Sequence, residues 1–158
     1  MNFIMKVIAW KFVVFTVITI AIATYFNYAL AAVSVTTATG GSAISSDTTG
    51  GSYTSLTGPI VTEGAVGDVG VGTIILNIPS GFIFDTGGIA PTVRIDRVSG
   101  NGADSRNVNG VPSGTSVAIT SITTSQITFT VTNAGTNGVK NSLTWQNVRV
   151  RPSSGTPL

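Results

Sequence analysis

From Ala32 onward, apolar residues return at every second position in short runs, and glycine, proline, asparagine, aspartate or serine closes each run. That is the period of strands with one face buried, and it leaves no stretch with the 3.6-residue period of an amphipathic helix. The clearest runs are Ile74/Leu76/Ile78 within Thr73–Ile78, Val93/Ile95 within Thr92–Asp96, Val117/Ile119 within Ser116–Thr120, and Ile127/Phe129/Val131 within Gln126–Thr132. Threonine fills many of the alternate positions, where its branched carbon suits a pleated surface and its hydroxyl keeps that surface wet without charge. Breakers stand at Gly40-Gly41, Gly50-Gly51, Gly58-Pro59, Pro79-Ser80-Gly81, Gly87-Gly88, Asn109-Gly110 and Asn137-Gly138. About seven or more short strands fit between them, which predicts an all-β, antiparallel β-sandwich and disfavours a parallel α/β fold.

One place breaks the alternation. Leu143 and Trp145 share one parity, Val148 and Val150 the other. One extra residue at Gln146-Asn147, a β-bulge, would let all four face the core, and a strand apolar on both faces is the alternative. Trp145 itself reads as a core plug, because so large a ring is most often buried.

The chain ahead of Ala32 is unlike the rest. Its only charges are Lys6 and Lys11, followed by the apolar run Phe12–Ala23 and then Ala29-Leu30-Ala31, the order of a secretory signal with a small-x-small cleavage site. Residues 1–31 are therefore expected to be a hydrophobic signal helix cut after Ala31. The alternative is an uncleaved membrane anchor, since the uncharged stretch Phe12–Ala32 reaches the roughly 20 residues that span a bilayer. In both readings the lysines stay in the cytoplasm, and the remainder crosses the cytoplasmic membrane to the cell surface or the medium. Residues 32–152 then form the β domain. Residues 153–158 read as a linker or frayed end, rich in serine, glycine and proline.

Beyond the leader, Arg94, Arg97, Arg106, Lys140, Arg149 and Arg151 balance Asp47, Glu63, Asp68, Asp85, Asp96 and Asp104. A neutral domain lacks the basic footprint that nucleic-acid binding needs. Histidine and cysteine are both absent from the sequence, which removes serine–histidine and cysteine–histidine catalysis, histidine-bound zinc and disulfide support.

What remains is weaker chemistry. The loop Asp96–Asn107 carries oxygen ligands among glycines, and Asp96, Asn101 and Asp104 are its calcium candidates, although the spacing is not that of an EF-hand. The competing reading is a solvated loop with local Asp–Arg pairs. Glu63, Asp68 and Asp85 could flank a hydrolytic cleft, yet nothing selects a pair with the required separation, and the chain is read as non-enzymatic with no cofactor. Tyr53, Phe82, Phe84 and Trp145 could stack on a sugar ring, or pack into the core as such residues more often do. Ala32–Thr36 is an ordinary first strand or one donated to a neighbour.

Three segments, Ser52–Pro59, Gly72–Asp85 and Leu143–Pro152, resemble repeated immunoglobulin-like, adhesin-type β-sandwich segments of large secreted bacterial surface proteins. The likeness covers most of residues 36–158 and consists of structural motifs, a strand–Pro–Ser–Gly–turn–strand unit and a terminal strand. It implies an extracellular, modular and adhesive role with a protein or glycan surface ligand, and it carries no functional residues across. The alternative expectation is a carbohydrate-binding domain, assisted by calcium.

Overall fold

The computed structural model describes residues 32–42, 44 and 51–153. The leader reading for residues 1–31 and most of the linker reading fall outside them. The described chain is all-β: β1 (Ser34–Thr36), β2 (Thr54–Ser55), β3 (Ile60–Thr62), β4 (Gly72–Asn77), β5 (Phe82–Phe84), β6 (Thr92–Ser99), β7 (Thr115–Ala118), β8 (Ser121–Ile122), β9 (Gln126–Val131), β10 (Lys140–Gln146) and β11 (Arg149–Pro152). Two single 3-10 turns, Asp104–Arg106 and Val108–Gly110, interrupt the long connection from β6 to β7, and no α-helix occurs among the described residues.

Every strand pairing is antiparallel. A five-stranded sheet runs β1-β3-β10-β6-β7, and two three-stranded sheets run β2-β11-β5 and β4-β9-β8. The four clearest alternating runs of the sequence fall on β4, β6, β7 and β9, within two residues of the observed limits except at the end of β6, which continues three residues further to Ser99. Inward residues of these and other strands meet in one core drawn from all three sheets, with Val93, Ile95 and Leu143 from the first, Phe84 and Val150 from the second, and Ile127, Phe129 and Val131 from the third. Trp145 on β10 lies at its centre, 2% exposed, and meets Phe129 on β9 edge-on at 6.3 Å between ring centroids. Such edge-to-face contacts add about 0.5–1.5 kcal/mol beyond the area buried.

The parity break near the end proves to be a change of sheet. β10 belongs to the five-stranded sheet and stops at Gln146; Asn147 takes a positive φ of 58°, which asparagine tolerates better than most residues, and β11 starts at Arg149 in another sheet. Leu143, Trp145, Val148 and Val150 are all buried, as the register argument required. The expected bulge within one ladder is instead a corner between two, the usual way for a strand to leave one sheet for the next. β11 also extends through Arg151 and Pro152, and Ser153 N–H donates to Gly81 O at 2.9 Å, so ordered backbone persists to the start of the proposed linker.

At the far end of β6, Gly100 turns the chain against the loop before β10. Its φ is +87°, and a Cβ there would lie 2.1 Å from the carbonyl oxygen of Gly138, so only glycine fits.

A candidate docking groove

Beside the sealed centre lies an apolar groove of about 620 Å³. Its floor is core: Leu56, Val61, Phe84, Trp145, Val148 and Val150. One wall is β1 and its continuation, through Val35, Thr37 and Ala38; the other is β4 and its continuation, from Ile74 to Pro79. Among the described residues no lining side chain is ionisable, and Thr37, Asn77 and the indole N–H of Trp145, buried without a hydrogen-bond partner, supply its polar side-chain groups. Small-molecule sites combine apolar walls with a few convergent polar groups, which this groove lacks.

Its hydrogen-bonding capacity lies in the backbone. β1 pairs only with β3, and β4 only with β9, so each presents an edge without a strand partner among the described residues. The β4 edge, Gly72-Thr73-Ile74-Ile75-Leu76-Asn77, is long and uncharged and holds no proline, so it has none of the devices that protect edges from pairing. Of seven exposed large apolar residues among the described residues, five lie here: Val33 just before β1, Val35 on it, Val66 and Val71 in the connection that leads into β4, and Ile75 on β4.

The residues singled out from sequence fall elsewhere, or have other work. In the calcium candidate loop, Asp96 holds Arg94 at 2.8 Å, and that hydrogen bond with its charge raises the Arg94 guanidinium above its ordinary range. Asp104 stands 3.6 Å from Arg97, and the backbone oxygen of Asn101 accepts from Arg106. Asp96 and Asp104 thus face arginines, and no group of three or more aspartate or glutamate residues converges on a metal position among the described residues.

The cleft carboxylates have other partners too. Glu63 is 2% exposed, its carboxylate accepting from Val69 N–H at 3.0 Å and from Asn141 N–H at 2.7 Å and Nδ2 at 3.2 Å. Backbone donors stand in for a counter-charge and tie the end of β3 to β10. Asp68 accepts from Ala65 N–H at 2.6 Å, and Asp85 pairs with Arg149.

The four aromatic candidates form no exposed platform: Phe84 and Trp145 are buried, Phe82 is half-buried, and the half-buried Tyr53 ring is covered by the Arg151 guanidinium at 4.5 Å. Phe82, Phe84 and Trp145 do come together, as lining of the groove.

Comparison with known proteins finds no matching family model, curated protein or solved structure.

Proposed function

We propose that the chain is a non-enzymatic structural or adhesion module of the immunoglobulin-like β-sandwich kind, exported across the cytoplasmic membrane and held at the cell surface or released. The observation that carries the reading is the apolar groove between two strand edges, with no ionisable group in its lining among the described residues. Such a site suits another polypeptide better than a reacting substrate, because main-chain bonds along an edge supply affinity and alternate side chains supply fit. The order of residues 1–31 supports export, and the three quoted segments support the surface-protein likeness.

The test is to express the full chain with a C-terminal tag in a bacterial host, fractionate the cells and weigh the product. An exported species beginning at Ala32, or an intact one in the membrane with its β domain open to protease added from outside, is the expected result. Retention in the cytoplasm would overturn the reading. Binding on a glycan array that disappears with chelator would favour the calcium-assisted carbohydrate domain instead.

A further inference from the structure

We infer that Asp68 is the receiving site for the α-ammonium group that hydrolysis of the Ala31–Ala32 bond creates. The inference rests on the export reading above and adds what the cut end does once the domain has folded.

Sequence and structure meet at one atom. Ala29-Leu30-Ala31 puts the scissile bond at the nitrogen of Ala32. In the β domain that nitrogen lies 3.3 Å from Asp68 Oδ2, in the connection from β3 to β4 and 36 residues further along the chain. The first is a pattern in the leader, the second a contact in the domain, and neither depends on the other.

Ala32 is held in place by its own backbone. Its carbonyl accepts from Gly64 N–H at 3.1 Å, and two residues on, β1 pairs Ser34 with Thr62 of β3. Gly64 permits this approach, because a Cβ there would collide with Ala32 O.

Charge then singles out Asp68. Asp85, Asp96 and Asp104 each face an arginine, and Glu63 is buried among its own donors. Asp68 is half-buried, accepts from the N–H groups of Ala65 at 2.6 Å and of Ala32, and has no ion-pair partner among the described residues. Lys140, at the start of β10, turns its ammonium to Gly64 O at 3.3 Å instead. Lys140 and the buried Glu63 are the other ionisable groups next to Gly64.

Hydrolysis adds one water across the bond. Its hydroxyl goes to the Ala31 carbonyl carbon and the leader departs as a carboxylate; the remaining proton of the water and the proton lost by the new carboxyl pass to the Ala32 nitrogen, which becomes an ammonium. A neutral N–H facing a carboxylate is thereby replaced by a full positive charge with three donors, and charge-assisted bonds are the stronger kind. β1, exposed at every residue and tied to β3 by three residue pairs, gains an anchor at its leading end.

The test uses the full chain, exported as above, and the mass of the product fixes its first residue. The carbon NMR shift of the Ala32 methyl group then follows the titration of the α-amino group in the parent, in Asp68→Asn and in Asp104→Asn. Asparagine keeps an oxygen acceptor for Ala65 N–H, and the exposed Asp104 controls for the loss of one negative charge. The expected midpoint in the parent lies about half a pH unit above that of Asp68→Asn, the size that an exposed ion pair supports, and Asp104→Asn matches the parent. In the parent alone, added salt should lower the midpoint as the pair is screened.

Equal midpoints in the parent and Asp68→Asn would overturn the proposal, as would an equal drop in both variants or a parent midpoint that salt leaves in place. A product that begins at another residue, or an intact one in the membrane, also overturns it while the export and module reading stands. Retention in the cytoplasm ends both.

Discussion

β4 and β9 are hydrogen-bonded neighbours with the same alternating pattern, yet they have different surroundings. On β9, Ile127, Phe129 and Val131 are sealed at 0%, 1% and 0% exposure; directly across the ladder from Ile127 and Phe129 on β4, Leu76 and Ile74 are only half-buried. The difference lies in what stands opposite each strand. β9 has a strand on either side and Trp145 against its inner face, whereas β4 has one neighbour and looks over the groove. Alternation fixes which way a side chain points, but only a partner surface decides whether it is buried.

Substitutions on the two sides should separate accordingly, and unfolding the exported chain in denaturant would show by how much. Trp145→Ala removes the ring shared by sealed centre and groove floor, and should cost about 3–5 kcal/mol. Ile127 and Leu76 face each other across the ladder, so they make the sharpest pair. Ile127→Ala is expected to lose about 3 kcal/mol, and Leu76→Ala about 1 kcal/mol, because the half-buried leucine leaves less of a cavity. Equal losses would mean that the groove is closed in solution and would break the comparison. Glu63→Gln keeps the shape but turns an amide N–H2 toward backbone donors, and should cost about 2 kcal/mol. Ile75→Lys, on the open rim, should stay within about 0.5 kcal/mol of the parent while placing a charge on the free edge.

Much of this was legible in the sequence. Period two located β4, β6, β7 and β9, breakers such as Pro79-Ser80-Gly81 and Gly87-Gly88 fell between strands, and the parity of Leu143, Trp145, Val148 and Val150 demanded a reset where Asn147 provides one. Glu63 was not legible, since its burial depends on Asn141, 78 residues away in the chain, and nothing local marks that contact. The groove was hidden for a similar reason. Phe82, Phe84 and Trp145 were noted as aromatics, but the space they line exists only because β1 and β4 are edges, a property of strand order that neither periodicity nor composition records.

The corner at Asn147 also bears on how the molecule comes apart. Because β10 and β11 are nearly one continuous run of chain serving two sheets, opening either sheet drags the other, and Val148, between them, is itself buried and bonded through its carbonyl to Leu56 N–H at 2.8 Å. Amide protons on Leu143 and Val150 should therefore exchange with deuterium through one shared global event, whereas those of β1, held on one side alone, escape earlier through local fraying.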